Sequence, residues 1–116
     1  MTPADILSAI SMRFEIRPDQ LVGRNARRLY ARPRQIGMFL TRELTSLSFP
    51  QIGRFYQRDH TTVMWACREI KALTDKDGDT LEAIESCREI AKILAGRRAD
   101  RRRESLSKPL VEVRSA

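Results

Sequence analysis

Apolar side chains in this chain recur at intervals of three and four residues, and no stretch sustains an alternation of two. Helices with one buried face produce that spacing and β-sheets do not, so the expected fold is all-α. Thr2 is placed to cap a first helix, with Pro3 at its first position, Asp5 in its first turn and Ile6, Leu7, Ile10 and Phe14 on its apolar side. Residues 17–22 read as a turn into a brief second helix, which Gly23 stops. Pro33 is expected to open a third helix, with Ile36, Leu40, Leu44 and Leu47 in one stripe and Phe39 widening it.

The stretch Ser48-Phe49-Pro50-Gln51 fits a capping box, with Leu47 and Ile52 placed as a hydrophobic staple. Only about one and a half turns follow before Tyr56-Gln57-Arg58, and Asp59 can then cap a new helix. That helix carries Val63, Ala66, Cys67, Ile70 and Leu73 on one side and His60, Thr61, Trp65 and Arg68 on the other. A short helix, a tight turn and a second helix with a polar outer side make a helix-turn-helix. After a turn-rich break at 75–79, Asp79 and Glu82 are expected to cap a last helix with Leu81, Ile84, Cys87, Ile90, Ala91 and Leu94 on its apolar side. The break has the carboxylates of a calcium loop, but Ser86 stands at the twelfth position, where a bidentate Glu is needed. The expected division is a compact helix-turn-helix domain over 1–95 and a basic tail over 96–116, fraying after Gly96 and irregular from Ser105.

The charge balance narrows the function. Of 22 basic residues 18 are arginine, against 15 acids, and residues 21–41 contain no acid at all. Arginine forks onto phosphate and stacks on bases better than lysine, which favours a nucleic-acid partner. No apolar run approaches the roughly 20 residues of a membrane span, and no secretory leader opens the chain. Two cysteines and one histidine supply neither a disulfide framework nor a usual zinc site, so a cytoplasmic setting on the nucleoid is expected. Neither GxxxxGK[ST] nor GxGxxG is present, and no nucleophile–base pair is readable, so no cofactor, small-molecule substrate or enzymatic activity is expected.

At the first turn of a helix in the major groove, short polar side chains can read base edges. Asp59 can accept from a cytosine amino group, and His60 can donate to a purine acceptor or a phosphate. Thr61 and Thr62 offer a methyl to thymine and a hydroxyl to a base edge or phosphate. Asp59 can cap the helix and touch a base at once, because a carboxylate has several acceptor positions.

Arg32-Pro33-Arg34-Gln35, Ile52-Gly53, Arg58-Asp59-His60-Thr61-Thr62-Val63 and Ala66-Cys67-Arg68, in this order, resemble the DNA-binding C-terminal domain of the bacterial replication initiator DnaA. The resemblance runs from about Ile6 to about Leu73, with weaker helical similarity to Leu94. It implies double-stranded DNA as partner, with Asp59, His60, Thr61 and Thr62 on bases. It implies backbone contacts for Arg34, Gln35, Arg42, Arg58, Phe49 and Pro50, and a basic loop at 23–28 entering the minor groove. The family's groove arginine falls at Asn25 or Ala26 here, leaving Arg24, Arg27 and Arg28 as the candidates. Trp65 stands where the family often has His; either a DNA phosphate, sugar or thymine methyl covers it, or it packs against Tyr56 or the basic loop. Tyr56 and Gln57 replace an expected Phe or aliphatic residue and an expected glycine in the turn.

The initiators of this family carry an ATPase module ahead of the domain, whereas this sequence opens within it. The expected activity is therefore that of a freestanding reader of DnaA-box-like sites, regulating transcription or replication initiation without ATP or competing with full-length DnaA. The alternative is a protein-interaction module that docks a partner on its last helix, which nets −3 over residues 75–94. The Arg97–Arg103 block, at +4, is expected to add salt-sensitive affinity for any DNA or to fold back on that acidic helix.

Overall fold

A computed structural model describes residues 1–24 and 27–107. These residues form six helices and no strand: α1 (Pro3–Phe14), α2 (Pro18–Leu21), α3 (Arg28–Leu44), α4 (Phe49–Tyr56), α5 (His60–Thr74) and α6 (Gly78–Ser107). Local chemistry sets most of the boundaries. The Thr2 hydroxyl accepts from the Asp5 N–H at 3.2 Å while the Asp5 carboxylate accepts from the Thr2 N–H at 2.9 Å. Ser48 and Gln51 repeat the exchange at the start of α4, at 3.3 and 2.8 Å. Both reciprocal pairs satisfy amides that the first turn of a helix leaves without partners.

Three boundaries differ from the sequence reading. The third helix begins at Arg28, so Pro33 lies inside it, one turn further along than expected. The proline lacks only its own N–H bond toward the Leu29 carbonyl, and Leu29 is exposed where water can take that carbonyl. At α6 the cap is Asp77, whose carboxylate accepts from the Asp79 N–H at 3.1 Å and the Thr80 hydroxyl at 2.7 Å. That helix then continues without a break through Gly96 to Ser107, so the block at 97–103 is helical. The last stretch of the expected tail, 108–116, lies outside the described residues.

Two apolar clusters hold the helices. The larger joins Ile6 and Ile10 of α1, Leu21 of α2, Ile36 and Leu40 of α3, Ile70 of α5, and Ile84, Cys87 and Ala91 of α6. The smaller lies beneath the helix-turn-helix, where Met38 of α3 meets Ile52 and Tyr56 of α4 and Val63 and Ala66 of α5. Leu7 packs against both clusters and couples them.

Tyr56 is the largest fully buried side chain. Its hydroxyl has no hydrogen-bond partner among the described residues. Gly37 makes room for it, since a Cβ there would stand 2.5 Å from the hydroxyl oxygen. Burial pushes the phenol up to about 12, against the opposing pull of the Thr41 hydroxyl and the Arg34 guanidinium. Thr41 donates instead to the Gly37 carbonyl, at 2.7 Å. An orphaned buried hydroxyl costs about 1–3 kcal/mol, so Tyr56→Phe is expected to stabilise the domain by about 1 kcal/mol. Urea unfolding checks this, and a destabilised Phe variant would show that the hydroxyl is satisfied.

Candidate nucleic-acid interface

The turn between α4 and α5 closes tightly. Gln57 adopts the left-handed conformation (φ 57°, ψ 46°) and its N–H reaches back to the Arg54 and Gly53 carbonyls. The Arg58 N–H donates to the Gly53 carbonyl at 2.8 Å. The residue that had to be glycine for this approach is therefore Gly53, because a Cβ there would lie 2.5 Å from the Arg58 carbonyl oxygen. The left-handed position itself is filled by Gln57, a conformation disfavoured for side chains with a Cβ by roughly 1 kcal/mol or more.

Asp59 caps α5. Its carboxylate accepts from the Thr61 N–H at 3.3 Å and from the Thr61 hydroxyl, and its other oxygen faces His60 Nδ1 at 3.5 Å. The Thr61 hydroxyl, followed by the two backbone amides and His60, holds the carboxyl below the usual aspartate range. The cap is thus fully present above the ordinary aspartate pKa and weakens as pH falls through the lowered folded value.

The α5 register matches the expectation from spacing. Val63, Ala66 and Ile70 are buried, whereas Asp59, His60, Thr61, Thr62 and Trp65 are exposed, Trp65 at 55%. Cys67 and Leu73 on the apolar side are only half-buried, Cys67 at the edge of the groove between α3 and α5. Burial pushes its thiol up, so it is protonated and inert near neutrality. Thr61, Trp65 and Arg68 follow one another at i, i+4 and i+7 on the open side of α5.

The basic residues separate into two groups. Arg24, Arg27, Arg28 and Arg42 are exposed. Arg42 stacks on the Phe49 ring at 4.2 Å and donates to the Leu47 carbonyl at 3.0 Å, which fixes it beside the opening of α4. Phe49 is half-buried beneath it and Pro50 is exposed. Gln35 is half-buried and accepts from the exposed Arg32 at 2.9 Å. Asn25 and Ala26 lie outside the described residues.

Arg34 and Arg58 have a different position from the one expected. Arg34 is buried at 6% exposure, its Nε donating to the Leu21 carbonyl at 2.6 Å and its terminal nitrogen to the Gln20 carbonyl at 3.2 Å. Burial, and then repulsion from Arg58, lower its pKa. It clamps the end of α2 to α3. Arg58 is half-buried and donates to the carbonyls of Gly23 and Gln57, the second at 3.2 Å. The Gly23 N–H in turn donates to the Tyr56 carbonyl at 3.3 Å. Together these bonds fasten the start of the basic loop to the turn before α5. The sequence offered no signal for either clamp, because a buried arginine looks like an exposed one until its carbonyl acceptors are placed.

Among the described residues no helix is long and apolar enough to cross a membrane. Residues 3–70 match the family model described as the bacterial DnaA protein helix-turn-helix. The chain is 44% identical over 89 residues to the chromosomal replication initiator protein DnaA of Ruegeria sp. (strain TM1040), covering 76% of this chain and 19% of that protein. It is 34% identical over 95 residues to DnaA 1 of Chlamydia trachomatis, covering 82% and 21%, and 34% identical over 88 residues to DnaA of Thermus thermophilus, covering 75% and 20%. The chain thus spans about a fifth of the length of the curated relatives it matches.

Proposed function

This chain belongs to the bacterial DnaA helix-turn-helix family, a DNA-binding family, and from that premise we propose that it reads specific double-stranded sequences of the DnaA-box type. The observation that carries this reading is the two-sidedness of α5. Its inner side is locked by Val63, Ala66 and Ile70, which turns Asp59, His60, Thr61 and Thr62 outward together at its first turn. A helix end fixed in this way can bring short side chains to base edges in the major groove.

The other contacts surround that end. Arg42, with Phe49 and Pro50, stands at the opening of α4, where the guanidinium and the positive end of the helix dipole draw a phosphate. Arg24, Arg27 and Arg28 attract the backbone near the minor groove, held there by the Gly23–Tyr56 bond. Trp65, one turn beyond Thr61, covers sugar or a thymine methyl and loses its exposure to water in the complex. The resulting protein occupies such sites as a regulator of transcription or replication initiation, competing with full-length DnaA for them.

Selection of bound duplexes from a random pool tests the reading. An enriched DnaA-box-like motif is expected, and a pool that stays random would overturn it. Thr61→Ala is expected to reduce discrimination by about 1–3 kcal/mol at one or two positions of that motif. Its melting should stay close to that of the parent, because Asp59 still caps the backbone amide of residue 61. Equal losses on the selected and on random DNA would remove Thr61 from base reading.

A further inference from the structure

Beyond the family-matched residues 3–70, the densest basic block lies at Arg97–Arg103 near the end of α6. This segment is anchored as well as helical. Arg98 meets Asp5 with two donors, Nε at 3.3 Å and its terminal nitrogen at 2.8 Å. Asp5 is buried and already fixed in the capping box of α1, so the fork holds the end of α6 against the start of α1. Arg97, Arg101, Arg102 and Arg103 are exposed and make no ion pair among the described residues.

The position of that end matters. Met1, Thr2 and Pro3, ahead of α1, border one open cleft with residues 43–47 at the end of α3. Ser48 follows at once and caps α4, whose opening carries Arg42, Phe49 and Pro50. Arg88 of α6 forks onto Glu43 near the end of α3, and the arginines lie on the order of 15 Å further along the same helix, past the start of α1. After Leu94 the apolar residues of the helix are Ala95, Ala99 and Leu106, too few for a repeating seam on which another helix could pack. A polyanion suits the surface.

We propose that the Arg97–Arg103 segment is a fixed second binding surface for the DNA backbone, receiving a phosphate run of the same duplex that flanks the sequence read by α5. It rests on the reading of α5 given above. Seven helical residues cover about 9 Å, on the order of two or three phosphates along one strand. The surface reads no bases. It lengthens the footprint on one side and adds affinity that falls with salt.

The test compares the full chain with an Arg101→Gln, Arg102→Gln, Arg103→Gln variant on duplexes carrying the selected motif. The substituted residues are exposed and glutamine keeps helix propensity, so both proteins should melt alike. On duplexes with long flanks the variant is expected to bind several-fold more weakly at low salt, with the slope of log affinity against log salt flatter by about 2–3. On duplexes trimmed close to the motif on the side facing α6 the two proteins should bind alike, and both should select the same motif from a random pool. Superimposed curves on long flanks at every salt concentration would overturn the proposal, as would an equal loss on long and trimmed duplexes. If instead the unaltered chain enriches no motif, the reading of α5 fails, while the salt slopes still report whether the basic helix touches DNA.

Discussion

Gly53→Ala is expected to cost about 2–3 kcal/mol and to abolish specific DNA binding. The new Cβ would lie 2.5 Å from the Arg58 carbonyl oxygen and 3.4 Å from the His60 nitrogen. Both are backbone atoms, so no side-chain rotation relieves the overlap. The Gly53 carbonyl accepts from the Arg58 N–H across the same gap, so separating the two segments breaks that bond as well. Overpacking of this kind costs about 1–3 kcal/mol, and the lost bond puts Gly53 at the upper end. Relief comes only from moving residues 57–59, which displaces Asp59 and loosens the grip of Arg58 on the Gly23 carbonyl. Thermal melting and binding to the selected duplex check both parts. An alanine variant that melts and binds like the parent would show that the turn yields at no cost.

Arg34→Ala is expected to destabilise the fold by about 3 kcal/mol. A hydrogen bond to a charged group contributes roughly 1.5–3 kcal/mol, and Arg34 makes two to carbonyls at the end of α2. Truncation leaves the Leu21 and Gln20 carbonyls without these donors and opens a space beside the fully buried Tyr56. Lysine is a poor substitute, since a single ammonium cannot span the two acceptors as the guanidinium fork does. A phosphate-binding arginine behaves differently, because its loss leaves melting unchanged and flattens the salt slope by about one. Parallel melting and salt titrations of the alanine variant separate the two roles. Unchanged melting with a flatter slope would return Arg34 to the DNA surface.

The sequence carries some of these features openly. Capping boxes are spelled in consecutive residues, so Thr2–Asp5 and Ser48–Gln51 are legible, as is the α5 stripe with its polar first turn. What sequence spacing does not encode is the partner of a long side chain. Arg34 and Arg58 sit among residues that suggest a continuous basic surface, yet each turns to carbonyls that tertiary packing places beside it. Pro33 misleads because α3 starts a turn before it, at Arg28, and so holds the proline in its interior and not at its opening. Gly96 misleads for a related reason. Packing of α6 on α1 and the Arg98–Asp5 fork outweigh the intrinsic cost of about 1 kcal/mol for a helical glycine.

The pairing of α1 with α6 also sets an order of assembly. Every member of the smaller apolar cluster lies between Met38 and Ala66, so the layer beneath the helix-turn-helix can close as soon as that stretch leaves the ribosome. The first residues of α6 are made 64 positions after the end of α1. At about 5–20 residues per second, α1 waits roughly 3–13 s with Ile6 and Ile10 uncovered on their α6 side. During synthesis the layer beneath the helix-turn-helix can therefore close before α6 is there to brace α1, and Arg98 can reach Asp5 only once α6 has been made.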